Sequence, residues 1–317
     1  MQGVILAAGK GSRLHPITVA RSKAMVPILG KPIVERVMET LVENGVDDFI
    51  LVVSPDDRDI VRYFTRESKL DVDLRFAFQV ERKGMADALA YAAPLISENF
   101  ILSACDNLVP TEDVARVVAM MHGEEHANAV LTLMSVEPDR LGSVAIVETD
   151  GPWVKRIIEK PKPEDAPSDT SSLPLYVFTP RILDYLPEVP VSARGEYELQ
   201  DAIQMVIERD GRVGGVVIDR RLTLTNAKDL LALNREYLLR GGDHPQLAPN
   251  TVGPNTRLIT PLHIEQGTVI GTNCTIGPNV YIERDCRLGD NVMVHDAVLL
   301  RGASVPDGTT IASEVVA

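Results

Sequence analysis

The first part of the chain alternates short apolar runs with stretches whose apolar residues recur every three to four positions. GVILAA at 3–8 reads as a buried strand, IVERVMETLVENG at 33–45 as a helix closed by Gly45, and DFILVVS at 48–54 as the next strand. DIVRYFTRE, LRFAFQ, MADALAYAAPLI, NFILSACDN and TEDVARVVAMMHGE continue the series as helix, strand, helix, strand and helix. Strands separated by helices need crossover connections. This part of the chain therefore predicts an α/β fold, a Rossmann-like, mainly parallel mixed sheet flanked by helices. Ligands of such sheets bind beyond the carboxyl ends of the strands, and the loops after Ala8, Gln79 and Cys105 all start there.

The pattern changes twice further on. AVLTLMSV, SVAIVET and PLYVFTP, between 129 and 180, are strand-like runs with no long helix between them, which predicts an antiparallel excursion. The helix ELQDAIQMVIERDG, the strand VGGVVID and the helix NAKDLLALNREYLL follow, and RGGDHPQLAPN has the Gly, Pro and polar composition of a linker. Beyond it a period of six sets in. TVIGTN, CTIGPN, VYIERD, CRLGDN, VMVHDA, VLLRGA and SVPDGT carry an aliphatic residue at the third place in most copies, often followed by Gly. This repeat predicts a short left-handed parallel β-helix of roughly three to four coils, aliphatic inside, with Gly, Asn and Asp at its corners. The expected division is 1–238, a linker at 239–249, and the β-helix at 250–317.

Composition narrows the class of function. At 317 residues, 45% hydrophobic and 24% charged, the chain suits two folded parts, and no apolar run approaches the ~20 residues of a membrane helix. Met1 and Gln2 lead straight into a strand-like run, without the basic and cleavage-site features of a signal peptide. The expectation is a cytoplasmic protein with no membrane partner. A net charge of −13 argues against a general nucleic-acid binder while leaving room for a local basic pocket. Cys105, Cys274 and Cys286 are too few and too widely spaced for a zinc site or a disulfide framework and read as buried small hydrophobes.

Candidate chemistry starts at ILAAGKGSRLHP, residues 5–16. A strand followed by a glycine loop directs several backbone N–H groups at one point, which makes an anion cradle. The P-loop string G-x-x-x-x-G-K-[ST] is absent, and the dinucleotide fingerprint fails because Leu14 stands where its third glycine belongs.

The full run LAAGKGSRLHPITVARSKAMVPILGKPIVE resembles the nucleotide-binding segment of the sugar-1-phosphate nucleotidylyltransferases, whose members include glucose-1-phosphate thymidylyltransferases and UTP-glucose-1-phosphate uridylyltransferases. The family pattern is L-A-[AG]-G-x-G-[TS]-R-L-x-P-x-T, continued by K-x-[ML]-[VL]-P. FAFQVERKGMADALAYA, ILSACDN, IIEKP and RGEYELQDAI extend the likeness to about residue 238, and hexapeptide tails are common in the family. The implied reaction is attack of a sugar 1-phosphate oxygen on the α-phosphorus of a nucleoside triphosphate, with pyrophosphate leaving in line. Such catalysis rests on positioning and charge neutralisation.

By resemblance, Leu6, Ala7, Ala8, Gly9, Gly11 and Ser12 line the nucleotide, Arg13 grips the departing pyrophosphate and Lys23 meets the α-phosphate. Gln79 pairs bidentately with the imide edge of uracil or thymine and Gly84 lets the backbone approach the same base, which favours UTP or dTTP without separating them. Gly142, Glu159 and Lys160 belong to the sugar-phosphate side. Asp106 is the expected Mg²⁺ carboxylate. Mg²⁺ is the implied cofactor, glucose 1-phosphate the simplest acceptor, and a homo-oligomer the expected assembly.

Four positions depart from the family. Its second metal aspartate lies in W-x-D-[VT]-G-[TR]-P-x-D-L-L; here the run is RLTLTNAKDLL, and counting back from Asp229 puts Thr223 at the aspartate and Thr225 at the glycine. Asp219, four residues earlier on what reads as the same strand, would lie about 13 Å away at ~3.3 Å per residue. Cys105 stands where Gly usually precedes the aspartate, Pro174 where Gly precedes an aromatic residue, and Ser12 replaces Thr. Two further readings follow. One is a weakened or inactive paralogue that binds nucleotide or NDP-sugar as a regulatory or assembly subunit. The other adds an acyltransferase activity in the β-helix, with His295 as base.

Overall fold

The computed structural model describes residues 1–123, 126–241, 246–247 and 251–317. Most of the expected linker, 242–245 and 248–249, lies outside the described residues. The described chain forms two compact units: Met1–Lys10 with Val34–Arg221, and Gly11–Ile33 with Leu222–Ala317.

The first unit is built on a sheet of nine strands among the described residues: β1 (Gln2–Leu6), β2 (Asp48–Val53), β3 (Asp73–Phe78), β4 (Phe100–Ala104), β5 (Ala129–Ser135), β6 (Ala145–Asp150), β7 (Trp153–Glu159), β8 (Thr170–Phe178) and β9 (Val213–Val217). Their order is β3-β2-β1-β4-β8-β5-β9-β7-β6. β3, β2, β1 and β4 run parallel, as their helical crossovers require. The β4–β8, β8–β5 and β7–β6 pairs are antiparallel, the excursion read from 129–180. Of the helices α1 (Ile33–Val42), α2 (Arg58–Arg66), α3 (Met85–Ala92), α4 (Thr111–His122), α5 (Leu199–Arg209) and α6 (Ala227–Arg240), α4 packs on β5, β8 and β9 and α5 on β7. α5 buries Leu199, Ala202, Ile203 and Val206, positions i, i+3, i+4 and i+7 of one face.

Three local readings change. The strand β7 is not predicted from the sequence, because the adjacent charges Lys155 and Arg156, both exposed at a register shift, break the apolar-polar alternation. Pro174 sits inside β8 at a register break between Leu173 and Tyr176, where the strand bulges and the missing N–H leaves no ladder gap. The Thr132 hydroxyl donates to the freed Leu175 carbonyl at 2.8 Å. Asp219 does not share a strand with Thr223, since β9 ends at Val217 and a separate two-residue strand covers Leu222–Thr223.

In the second unit, strands of the C-terminal segment stack in parallel at an offset of one coil, Leu262 on Val280, Val269 on Arg287 and Thr275 on Met293. Ile264, Ile270, Ile276, Ile282, Leu288 and Val294 recur every six residues and are fully or almost fully buried. Three faces of six residues make one coil, the architecture of a left-handed parallel β-helix. Asn273, Asn279, Asp285 and Asn291 take the left-handed conformation at the corners, which a short polar side chain tolerates. Val280 pairs with Ala297 and Met293 with Thr310, so the next coil is one residue shorter. Leu299 and Val305, not Leu300 and Pro306, therefore continue the core column. His295 lies half-exposed, its Nδ1 3.1 Å from Asp296.

Candidate active site

The carboxyl ends of β1, β3 and β4 carry the expected loops. Ala7 N–H continues the β1 ladder to Val52 at 2.8 Å, and Cys105 N–H donates to the Leu6 carbonyl at 3.2 Å. The Ala8 carbonyl accepts a short hydrogen bond from Nε of Arg82, whose Nη2 also lies 3.6 Å from Asp57. Burial raises the Asp57 pKa and the Arg82 charge opposes that rise. A Cβ on Gly9 would meet nothing within 4 Å, so packing does not demand glycine there.

Gln79 follows β3 and is buried, with Nε2 donating to the Gly84 carbonyl at 3.2 Å and to Asp87 Oδ2 at 2.7 Å. Both amide protons are thus engaged, leaving Oε1 as the free acceptor of this side chain. Gly84 caps α3 at φ 106, and a Cβ there would run into the Tyr197 backbone. Only glycine satisfies both conditions.

Asp106, 8% exposed, follows β4 with Cys105 buried before it and Asn107 buried after it. Nη1 of Arg221 donates to Asn107 Oδ1 at 3.2 Å. Burial pulls the Arg221 pKa below the usual arginine value, against the attraction of Asp106, while Arg140 adds repulsion. Tyr176 is buried and shares a 3.0 Å hydrogen bond with Ser172. Burial pushes its hydroxyl up to about 12, with Glu159 adding to the rise and Arg221 opposing it.

Glu159 closes β7 and Lys160 follows at φ 43. Oε1 of Glu159 lies 3.3 Å from Lys160 Nζ and 3.3 Å from Arg194 Nη2, which also pairs with Glu198 at 2.7 Å. Burial raises the Glu159 pKa despite the Lys160 and Arg194 charges. Gly142 lies in the helical turn Pro138–Ser143, where a Cβ would reach the Pro161 carbonyl only at 3.5 Å. Asp106, Glu159 and Lys160 are thus linked in this unit through Arg221, Tyr176 and Arg194. None of these last three was singled out from the sequence, where an isolated Arg or Tyr has the default reading of a solvated or packing side chain.

Gly11, Ser12, Arg13 and Lys23 belong to the second unit. Gly11 has φ 65, accepts the Thr18 hydroxyl at 2.8 Å, and would place a Cβ 2.9 Å from that of Lys23. The turn Ser12–Leu14 is anchored by buried Leu14 and leaves Arg13 exposed. The hairpin that follows is tied down twice: Leu29 N–H donates to Asn234 Oδ1 at 3.0 Å and Gly30 N–H to the Tyr281 hydroxyl at 3.1 Å. Thr223 is half-buried. Asp229 works as a cap, its Oδ2 accepting the Thr225 and Asn226 N–H groups at the start of α6.

An α/β sheet with a glycine loop after its first strand and a carboxylate after the strand paired with it is the setting of a nucleotide-handling enzyme. The nucleotidyl transferase family model matches residues 2–235, and the model of the GMPPB C-terminal domain matches 258–317. The chain belongs to the nucleotidyl transferase family and is a nucleotidyltransferase. It is 34% identical over 220 residues to a UTP-glucose-1-phosphate uridylyltransferase, AglF, of Haloferax volcanii, covering 69% of this chain and 88% of the relative. It is 26% identical over 336 residues to a bifunctional protein GlmU of Methanococcus maripaludis, covering 100% of this chain and 77% of the relative. A UDP-glucose pyrophosphorylase structure complexed with UDP-glucose superposes with a TM-score of 0.68 at 21% identity, over 75% of this chain and 98% of that one, and shows the shared fold.

The family generally uses a divalent metal. Among the described residues no three of His, Cys, Asp or Glu cluster as a metal site. Asp106 is the carboxylate at the expected place, and it attracts the Arg221 guanidinium. One carboxylate makes no all-protein cage: Asp106 would hold a Mg²⁺ only together with substrate phosphates and water, which would complete its oxygen ligands.

Proposed function

We propose that the chain transfers a uridylyl or thymidylyl group to a sugar 1-phosphate, most simply glucose 1-phosphate, forming an NDP-sugar and pyrophosphate. The observation that carries this reading is the intact run Leu6–Arg13, a strand end followed by a glycine loop in which a Cβ on Gly9 would meet nothing within 4 Å and Gly11 takes the left-handed conformation, the backbone setting of an anion cradle. The relatives named as uridylyltransferases support the nucleotide and sugar classes. In this reading the sugar-phosphate oxygen attacks the α-phosphorus, the α–β bridging P–O bond breaks, and pyrophosphate departs with both electrons. No proton needs to move. Arg13 and Lys23 neutralise the triphosphate, Lys160 holds the acceptor phosphate, and Glu159 accepts hydrogen bonds from sugar hydroxyls. Oε1 of Gln79 accepts the imide N–H of the base, one bond in place of the bidentate pair. The transferase spans 1–238 and the β-helix 250–317, and the nucleotide pool it draws on is cytoplasmic.

The test is pyrophosphate release from the purified chain with Mg²⁺, each of four nucleotides and a panel of sugar 1-phosphates. Turnover with UTP or dTTP, and not with purine nucleotides, is expected. Thr223, where the family has an aspartate, favours a second reading, a binding subunit without turnover. Measurable UTP or dTTP binding with no pyrophosphate from any pair would replace the enzyme by that subunit.

A further inference from the structure

The strand end that carries Asp106 also carries an arginine and an amide whose hydrogen-bonding capacity is incompletely used. Asn107 is 2% exposed; its Oδ1 accepts from Arg221, while its Nδ2 is buried with no hydrogen-bond partner among the described residues. A buried N–H left unmade is costly, and an incoming acceptor oxygen recovers that cost. Arg221 is half-buried, and two like charges, its own and that of Arg140, act on each other at this place. Asp106 attracts Arg221 here. A guanidinium and an amide N–H are donors suited to a planar or tetrahedral oxyanion.

The surroundings say which anion. Tyr176 feels the charges of both Arg221 and Glu159, and Glu159 in turn contacts Lys160 and Arg194, so the field of Arg221 acts on the side of this unit that carries the proposed sugar site. We infer that Arg221, with Asn107 beside it, binds the phosphate of the sugar 1-phosphate, a fixed cation next to Asp106 that neutralises the attacking group without a protein-held metal. This rests on the nucleotidyl-transfer reading for the identity of the sugar ester, and its own content is the phosphate contact.

Calorimetric titration of glucose 1-phosphate, glucose, UTP and dTTP in EDTA, for wild type, Arg221→Gln and Arg221→Lys, tests it apart from turnover. Arg221→Gln is expected to weaken glucose 1-phosphate at least tenfold while nucleotide binding stays within twofold, and Arg221→Lys to recover part of the loss. Glucose affinity is expected not to distinguish the three proteins. An unchanged affinity for glucose 1-phosphate in folded Arg221→Gln overturns the assignment, as does an equal loss for nucleotide. If Arg221→Gln does not fold, Arg221→Lys decides, since it alters the fork geometry and keeps the charge; an unchanged affinity there also overturns it. A wild type that binds glucose 1-phosphate through Arg221 yet releases no pyrophosphate removes the transferase reading and leaves this one. A wild type with no affinity for any sugar 1-phosphate removes this one.

Discussion

In the proposed reading Glu159 accepts hydrogen bonds from sugar hydroxyls, most strongly as the carboxylate, yet its surroundings disfavour the charge. Burial lifts its pKa above the ordinary 4.5, Glu198 adds to the rise, and Lys160 and Arg194 hold it back. A carboxyl with a raised folded-state pKa binds more protons folded than unfolded across the interval, so its contribution to stability is complete below 4.5 and is lost as pH rises through the folded value. Wild type should therefore lose stability relative to Glu159→Gln as pH rises above 4.5, read from urea midpoints along a pH series. A steeper loss in the variant would assign the proton elsewhere. Arg82, Arg194 and Arg221 show why residue roles stay hidden in a sequence. Each is one cation among thirty-two Lys and Arg, and only a partner from a distant segment gives it meaning.

At the scale of elements, α3 depends on the backbone before it. Gly84 has φ 106 and faces Tyr197, whose N–H and C=O bond to Lys83 and Ala86 at 2.7 and 3.1 Å. Gly84→Ala adds both left-handed strain and a clash, so the expected destabilisation is about 2 kcal/mol or more. Thermal or urea unfolding measures it, and a loss below about 0.5 kcal/mol would mean the loop moves freely away from Tyr197. Gly9 gives the opposite case. With nothing within 4 Å of an added Cβ, Gly9→Ala should leave the melting temperature within about 2 °C while weakening UTP or dTTP, whichever binds, by tenfold or more. Equal affinity would show that no phosphate comes close to residue 9. β8 illustrates an element whose oddity had a structural answer: Pro174 removes a donor at a bulge, where none is needed.

At the scale of the molecule, the segment Gly11–Ile33 shares a compact unit with Leu222–Ala317. Nη1 of Arg21 lies 3.0 and 2.9 Å from the two oxygens of Glu283, a β-helix residue only 3% exposed, and Arg301 N–H donates to the same carboxylate at 2.8 Å. Removing one member of a buried pair strands the other charge, whereas replacing both removes the desolvation cost as well. Glu283→Gln should thus cost about 3 kcal/mol or more in unfolding free energy, and Arg21→Met with Glu283→Leu distinctly less. Urea unfolding of the two variants compares them; equal costs would show that packing, not charge, holds the segment.

Periodicities were legible in the chain alone: apolar runs and helical spacing for the parallel half of the sheet, and the six-residue period for the β-helix. These depend on side chains alternating between core and solvent, a property each segment carries in its own order. The glycine loop was legible because backbone donors need no distant partner. Tertiary structure decided what pairs across long separations: the β7 strand, the bulge at Pro174, the frame shift after Asp296, and the arginines beside Ala8, Glu159 and Asp106. Charge on a side chain is written in the sequence. Whether water, a carboxylate or a substrate answers that charge depends on burial, and burial is a property of the folded chain.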